Sequence, residues 1–353
     1  MLNILNLNPG TFGLDISDLS VKLVRIKKNR GGFSISNLNQ ISLEKGIVKK
    51  GEVVNEEKLV KAIKKIVKKT SSLKTKQVVV SLPEEKSFLR VIRMPEMSNQ
   101  DLRRAVRFEA ENYIPFSLDR VYLDSEPVVY LDNKQTEVLV IAMPKKIVDP
   151  YVRVIKKAGL IPVALETESQ AAARALIQAN EFVYLIDFGA TSTVFSVYCG
   201  RFLCFSSFIP VCSNDFTRAI MKATGKDRTE SESLKKIHGL DNKTVAGKKV
   251  FRAIKPLVDE LVAEIKKHIE YYEIQTKENG LVDTKGSAKK VLLYGGGVLL
   301  PGLPDFLSKS LKVEVKKGDP LVNFPNKNRK VFSKRKPLSF AVAIGLALRE
   351  FYD

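Results

Sequence analysis

Two segments that lie far apart in the chain share a pattern that could bind phosphate. In residues 12–24 and again in residues 183–195, an apolar strand runs to an aspartate, Asp15 or Asp187, a turn of small and hydroxyl residues follows, and a second apolar strand begins. The tip of such a hairpin presents backbone N–H groups and hydroxyls to an anion, and the adjacent carboxylate can hold a hydrated Mg²⁺. The pattern predicts two related halves that close on one phosphate chain.

A run of three glycines is the second candidate binding element. Gly295, Gly296 and Gly297 come directly after the buried-type strand of residues 291–294. Because glycine carries no side chain, its backbone can lie flat against a ligand at no steric cost. Such a run is also typical of a flexible turn, but its position after a buried strand favours a ligand loop.

The length and composition indicate a globular protein of more than one domain. The chain has 353 residues, of which 44% are apolar, and a net charge of +20. That charge implies attraction to an anionic partner, which could be nucleotide, nucleic acid or the inner face of a membrane. No apolar run is long enough to span a bilayer, and residues 1–6 lack the start of a secretory signal, so we expect a cytoplasmic location.

The cysteines and histidines point to no metal centre or catalytic triad. Cys199, Cys204 and Cys212 fit no zinc or haem spacing, and their odd number argues against a disulfide framework. We therefore expect three reduced thiols in the core. The two histidines, His238 and His268, cannot be assembled with a serine or cysteine into a nucleophilic site.

The elements that must position the two hairpins can be traced along the chain. Asn55 predicts the N-cap of a helix over residues 56–69, in which lysines line the face opposite the apolar residues, as a solvated surface would. Residues 84–162 predict a strand, a helix, two strands and a helix, which is the order of a compact α+β module. A small-residue helix is predicted over residues 338–349.

The two hairpins, the glycine run and the order of elements together resemble the actin, Hsp70 and sugar-kinase ATPase superfamily. Within it, the chain resembles the PilM family of type IV pilus assembly proteins, which is related to FtsA. The most specific stretches are residues 107–119 and 121–124, which are similar to the family's "YIPF" signature, and residues 343–349. The resemblance covers essentially the whole chain.

The resemblance implies an α/β protein with the actin-like ATPase fold. Two RNase H-like domains, each a mixed β-sheet flanked by helices, would carry an inserted α+β subdomain, 1C. The division it implies is subdomain 1A at 1–83 and 163–181, 1C at 84–162, 2A at 182–213 and 290–353, and 2B at 214–289.

The resemblance also implies the residues of an ATP site with Mg²⁺. Those that would contact the nucleotide are Asp15, Ser17, Lys22, Asp187, Gly189, Thr191, Ser192, Glu232, Lys235, Gly295, Gly296 and Gly297. Asp15 and Asp187 would hold Mg²⁺ through water. Glu168 matches the residue that positions the attacking water, although a carboxylate favoured by a helix dipole explains it as readily.

Two departures from the family pattern bear on the chemistry. Asp18 stands where a serine is usual, so its carboxylate would lie near the phosphates and repel them unless Mg²⁺ screens it. Residues 211–214 replace a pair of glycines, which weakens a tight backbone approach to the nucleotide. We therefore expect ATP to bind and its hydrolysis to be slow or absent.

The family resemblance implies a scaffold that docks on the cytoplasmic N-terminal tail of an inner-membrane PilN-like protein, in a groove between the first domain and 1C. Other pilus components would join it, and membrane contact would be indirect, through the partner or through charge, at the inner face of the inner membrane. The alternatives are an FtsA-like, membrane-associated, filament-forming ATPase and a small-molecule kinase on the same fold. The sequence does not decide self-association.

Nucleic-acid binding is disfavoured by the way the charge is distributed. The lysines are spread through many segments, and aromatic residues are not interleaved with them as stacking platforms would require. The densest basic cluster, at residues 329–330 and 334–336, is short.

Overall fold

The computed structural model describes residues 10–352 except 31, 71, 132–133, 179–180, 280–287, 289, 326–331 and 333–336. The dense basic cluster at residues 329–330 and 334–336 therefore lies outside the described residues. Three sheets of three to five strands and one short two-stranded hairpin carry the architecture of the described part.

The first sheet is built on the first predicted hairpin. Its five strands are, in chain order, β1 (Phe12–Ser17), β2 (Ser20–Asn29), β3 (Gly32–Ser42), β6 (Gln77–Leu82) and β10 (Ile161–Thr167). They lie in the order β10-β6-β1-β2-β3. Strand β1 pairs with β2 in antiparallel register and with β6 in parallel register. The side chains of β1 are almost wholly buried, as expected for the central strand of a sheet that is covered on both faces.

The second sheet repeats this topology. Its strands are β11 (Phe182–Phe188), β12 (Thr193–Cys199), β13 (Phe202–Ile209), β14 (Lys290–Tyr294) and β15 (Glu314–Lys317). They lie in the order β13-β12-β11-β14-β15, again with an antiparallel hairpin at the centre and a parallel neighbour beside it. The two hairpins therefore occupy equivalent places in two related domains, which confirms the predicted fold class.

The inserted unit is a three-stranded sheet in the order β7-β9-β8 with one helix packed on it. The elements are β7 (Phe88–Pro95), α2 (Asn99–Ala110), β8 (Val121–Leu131) and β9 (Gln135–Pro144). Its small core is formed by the apolar face of α2 and the inner faces of the strands. The remaining pair, β4 (Val48–Lys49) and β5 (Glu52–Val53), forms a short hairpin that is separate from the three sheets.

Helices cover both large sheets. They are α1 (Glu56–Lys69), α3 (Lys145–Lys157), α4 (Glu168–Leu176), α5 (Ser213–Thr224), α6 (Arg228–His238), α7 (Val245–Asn279), α8 (Leu303–Leu311) and α9 (Ala341–Leu348). The buried residues of α3 belong to the core beneath the first sheet, together with those of α1. Helix α3, which the sequence placed at the end of the inserted unit, therefore shares its core with the first domain. No helix in the described part of the chain has the length and apolarity to cross a bilayer.

The prediction of three reduced cysteines is wrong for two of them. The turn between β12 and β13 brings Cys199 and Cys204 together as a disulfide, while Cys212 is free. The sequence did not reveal this pairing because it depends on how the hairpin folds back after Cys199, where the register of β12 with β13 shifts by one residue.

Candidate functional site

The first hairpin places a buried carboxylate beside a lysine. Asp15 is 3% exposed and accepts a hydrogen bond from the Lys22 ammonium at 2.7 Å. The two residues face each other directly across β1 and β2 because the antiparallel register pairs them. Ser81, on the parallel strand β6, donates to the other Asp15 oxygen at 3.4 Å. Strands β2 and β6 therefore fix the Asp15 carboxylate from both sides, and one of its oxygens forms an ion pair with Lys22.

The first departure from the family pattern has a structural role. The Asp18 carboxylate accepts hydrogen bonds from the backbone N–H groups of Lys50 and Gly51, at 2.8 and 3.0 Å. Both residues have positive φ, 48° and 71°, so their N–H groups belong to a tight turn between β4 and β5. Tyr151 of α3 then donates to the Gly51 carbonyl at 2.9 Å. Asp18 thus fastens this turn to the tip of the first hairpin.

Replacing Asp18 with alanine is expected to lower the free energy of unfolding by about 1–3 kcal/mol, because two backbone N–H groups of the turn lose their acceptor. Urea unfolding of the variant measures this loss. Leu19→Ala is the matched control, since Leu19 is on the same tip and is 40% exposed, so it should change stability little. Equal stability of the two variants would contradict a fastening role for Asp18.

The second hairpin is fastened to the start of α5 by the segment that departs from the family. At its tip, the Gly189 N–H donates to the Ser192 carbonyl at 3.0 Å. The N–H groups of Ser213 and Asn214 donate to the carbonyls of Gly189 and Ala190, both at 3.0 Å. The residues that replace the glycine pair therefore support the turn from behind through backbone hydrogen bonds.

A cavity lies between the two domains at the tips of both hairpins. Ten of the residues predicted for the site line it: Asp15, Ser17, Lys22, Glu168, Asp187, Gly189, Thr191, Ser192, Gly295 and Gly296. Gly295 has a positive φ of 89°, and a Cβ there would overlap the Asp187 carboxylate. The close approach of the glycine run to the second acid therefore requires glycine.

Acidic side chains dominate the electrostatics of this cavity. Burial raises the pKa of Asp187 to about 7, the Asp15 charge adds to the rise, and Lys22 opposes it. Burial also raises the pKa of Glu168 well above its usual range, with Asp187 and Asp15 adding to the effect. Carboxylates that repel one another in a desolvated space favour a divalent cation, which would neutralise them. The donor set of Asp15 and Asp187 therefore fits a hydrated Mg²⁺.

Three predicted residues do not line the cavity. The Lys235 ammonium is buried and binds the Glu232 carboxylate, the Ser213 hydroxyl and the Thr217 hydroxyl, all within 2.9 Å. Burial lowers the pKa of Lys235, and Glu232 partly offsets that effect. The pair thus joins α6 to the start of α5. The third residue, Gly297, packs against Phe188, whose ring a Cβ would overlap.

The sequence reasoning missed several residues of the cavity wall. Glu85 and Pro83 line it, and so does Tyr294, whose hydroxyl donates to Asp187. A signal for the first two was present, because they directly follow β6, and the carboxyl ends of parallel strands β1 and β6 lie side by side. Tyr294 is the residue before the glycine run and pairs with Asp187 across β11 and β14.

Glu84 is a buried carboxylate that joins the two domains behind the cavity. It is 1% exposed and accepts hydrogen bonds from the Ser169 backbone N–H at 3.0 Å and the Ser206 hydroxyl at 2.5 Å. Ser169 follows Glu168 at the start of α4, and Ser206 lies on β13 of the second domain. Burial raises the pKa of Glu84. Its two bonds tie the helix that carries Glu168 to the opposite domain.

The inserted unit exposes aromatic side chains that a folded domain usually buries. Phe108 on α2 is 74% exposed, Phe116 after that helix is 44% exposed, and Tyr122 on the edge strand β8 is 49% exposed. The Tyr122 hydroxyl donates to Asp149 of α3 at 2.9 Å, and the Lys145 ammonium lies 5.6 Å from the centre of its ring. Tyr122 therefore stands where the inserted unit meets the first domain.

Known proteins share both the family pattern and the fold of this chain. The family model "Type IV pilus assembly protein PilM" matches residues 13–351. A solved structure titled "PilM-PilN type IV pilus biogenesis complex" is 27% identical, with a TM-score of 0.81 over 96% of this chain and 98% of that chain.

More distant structures share the fold alone. The ethanolamine utilization protein EutJ from Carboxydothermus hydrogenoformans is 16% identical, with a TM-score of 0.58 over 96% of this chain and 88% of its own. MreB 5 of Spiroplasma citri bound to AMPPNP is 13% identical, with a TM-score of 0.51 over 92% and 96%. Both support the actin-like architecture of two related sheets.

Proposed function

The chain belongs to the PilM family of type IV pilus assembly proteins, and on that premise we propose that it is a nucleotide-holding scaffold that docks on the N-terminal tail of an inner-membrane PilN-like protein. The observation that carries the proposal is the combination of two features in one molecule. One is the acidic cavity between two phosphate-type hairpins, and the other is the set of exposed aromatic residues on the inserted unit. Other pilus components would assemble on the same scaffold.

The ligand that fits the cavity best is ATP with Mg²⁺. The hairpin tips offer backbone N–H groups and the hydroxyls of Ser17, Thr191 and Ser192 to phosphate oxygens. Asp15 and Asp187 would hold the hydrated metal ion, which would supply the positive charge that the cavity lacks. Glu232 and Lys235 do not line the cavity, but they stabilise the start of α5. We propose that they act through that helix on the adenosine end of the nucleotide.

Slow or absent hydrolysis of ATP agrees with the raised pKa of Glu168. A residue that positions and activates water must carry a negative charge, and burial beside Asp187 and Asp15 favours the protonated form of Glu168. A bound Mg²⁺ would reverse the rise in the pKa of Glu168 only in part, because desolvation is its largest cause. Bound nucleotide would then hold the two domains in one arrangement rather than be turned over quickly.

The surface around Tyr122 is the docking site that we propose for the tail of the partner. Tyr122, Lys145 and Asp149 offer a ring, a cation and an anion along the junction of the edge strand β8 with α3. An extended peptide can add to such an edge strand through backbone hydrogen bonds, while pockets beside it select side chains. Tyrosines at such junctions are frequent centres of binding energy.

Replacing Tyr122 with alanine is expected to weaken binding of a synthetic PilN-type N-terminal peptide at least about tenfold, because an exposed aromatic anchor is removed. Fluorescence anisotropy with a labelled peptide, with and without Mg-ATP, measures the change. Tyr271→Ala is the matched control, since Tyr271 is 52% exposed on α7, away from this junction. Loss of binding in the control alone would place the peptide elsewhere, and no binding by the unmodified protein at micromolar peptide would count against a scaffold.

An ATPase or kinase on the same fold is the competing function. It is favoured by the presence of Glu168 in the cavity wall and would show phosphate release from Mg-ATP well above background. Loss of that release in a Glu168→Gln variant would assign the reaction to this site. Filament formation of the FtsA kind would show as nucleotide-dependent sedimentation of the protein alone.

A further inference from the structure

We propose that helix α1 presents a binding surface for anionic lipid headgroups. Five lysines form what we call the lysine stripe: Lys61, Lys64, Lys65, Lys68 and Lys69. All five side chains are exposed. The inference goes beyond the proposed function, since it needs neither nucleotide nor partner peptide.

No acid in the part of the chain that the structure describes forms an ion pair with the stripe. The acids nearest to it are already engaged or lie in the first turn of the helix. Glu56 binds Arg153 and Lys157 of α3, and Glu44 binds Lys58. None of the five stripe lysines forms an ion pair with a described residue.

The spacing of the stripe separates it from an ordinary solvated face. Its members lie three, four, seven and eight residues after Lys61, so each has like-charged neighbours one turn away. Like charges at these spacings destabilise a helix, whereas a solvated face usually alternates Glu with Lys to gain from the same geometry. The repulsion among the five lysines is best explained by an anionic surface that neutralises their charge when the protein binds to it.

The composition of the stripe indicates lipid rather than nucleic acid. It contains lysine only, without the arginine, asparagine or glutamine that contact base edges and without aromatic rings for stacking. Lysine is a compact, mobile charge on a flexible stem, which suits a fluid layer of headgroups. The apolar face of α1, with Leu59, Ile63 and Ile66, is wholly buried in the first domain, so the helix cannot insert. We therefore expect binding at the membrane surface by charge alone.

The position of the stripe agrees with a protein that works beside a membrane. Helix α1 packs on α3 and is tied to it by the Glu56 ion pairs with Arg153 and Lys157. Helix α3 also carries Asp149, which accepts the hydrogen bond from Tyr122. The helix that would contact lipid is thus the direct neighbour of the proposed docking site for an inner-membrane protein.

Vesicle co-sedimentation of the full chain tests the proposal. The unmodified protein is expected to bind vesicles that contain about 30% phosphatidylglycerol and not vesicles of phosphatidylcholine alone, and to be released as salt shortens the Debye length below about 5 Å. The variant K61Q/K64Q/K68Q should bind about 100-fold more weakly, since each lysine near such a surface contributes about fivefold. Thermal unfolding should show this variant to be as stable as the unmodified protein or more so, because like-charge repulsion is relieved.

The matched control removes the same charge elsewhere. Lys248, Lys249 and Arg252 on α7 are also exposed and form no ion pair with described residues, so K248Q/K249Q/R252Q has the same net charge as the stripe variant. We expect it to retain binding within about threefold. Equal losses in the two variants would show that bulk charge binds the vesicles and would overturn the proposal. Tighter binding to a DNA duplex at the same salt, lost in the stripe variant, would assign the stripe to nucleic acid instead.

Discussion

Replacing Asp187 with alanine is expected to weaken Mg-ATP binding at least about 100-fold while leaving the protein folded. The carboxylate is one of two that face each other across the cavity, and it is the one whose pKa rises to about 7 because of burial and the nearby Asp15. Without it, a metal ion loses half of the negative charge that would hold it, and the phosphates lose the metal that screens them. Isothermal titration calorimetry with a non-hydrolysable ATP analogue, with and without Mg²⁺, measures the loss.

The Asp187→Asn variant separates charge from shape. Asparagine keeps the size of the side chain and can still accept the hydrogen bond from Tyr294, so a comparable loss of binding in both variants would assign the effect to the negative charge. Binding of Mg-ATP by Asp187→Asn within about threefold of the unmodified protein would contradict a metal role for this residue.

The raised pKa of Asp187 also predicts two pH dependences of opposite sign. The folded protein without nucleotide holds the proton more tightly than the unfolded chain, whose aspartates titrate near 3.8, so the contribution of Asp187 to stability is greatest below about pH 4 and is lost as pH rises through about 7. Metal and nucleotide need the ionised form, so their affinity should rise across the same window. In Asp187→Asn, both the free energy of unfolding and the affinity for Mg-ATP should depend less on pH between pH 5.5 and 8. Urea unfolding measures the first quantity and isothermal titration calorimetry the second.

Replacing Gly345 with alanine is expected to lower the free energy of unfolding by about 3 kcal/mol or more, or to prevent soluble folding. Gly345 lies in α9 where that helix crosses α4, and a Cβ there would overlap the Ala171 backbone carbonyl. Backbone cannot move aside as a flexible side chain can. The crossing is also locked by Arg174, which donates to the Gly345 carbonyl at 2.9 Å and binds Glu166 through two nitrogens.

A second glycine provides the control for this prediction. Gly296→Ala introduces the same methyl group at a position with no atom within 4 Å, so its unfolding in urea should match that of the unmodified protein within about 0.5 kcal/mol. If Gly345→Ala unfolded within about 1 kcal/mol of the unmodified protein, the two helices would have to move apart at little cost, which would contradict the prediction that this close contact excludes a methyl group.

Local sequence patterns were sufficient to predict the two hairpins. Asp15 and Asp187 each lie on a strand whose antiparallel partner begins five or six residues later, and such short connections allow little other pairing. The helix from Asn55 was predicted within the same range that the structure gives, since its cap and its apolar spacing are both local. The family resemblance then supplied the fold of two related domains with an inserted subdomain.

Contacts between distant residues were not predictable in this way. The sequence placed Asp18 near the phosphates but did not reveal that its carboxylate also accepts hydrogen bonds from N–H groups 32 and 33 residues away. Nor did the sequence reveal that the Lys235 ammonium is bonded to the start of a different helix. In both cases the side chain can reach several partners, and only the folded backbone decides which of them lies within hydrogen-bonding distance.

The sequence by itself therefore determined the two acidic hairpins, the lysine stripe on α1 and the family, because each depends on residue types at short, regular spacings. The tertiary structure decided which of the predicted residues share a cavity, that Glu84 joins the domains, and that Cys199 pairs with Cys204. The physical reason is that hydrogen bonds and desolvation act over a few ångströms in space, while the groups they join can lie far apart along the chain, by 122 residues for Glu84 and Ser206 and by 171 for Arg174 and Gly345.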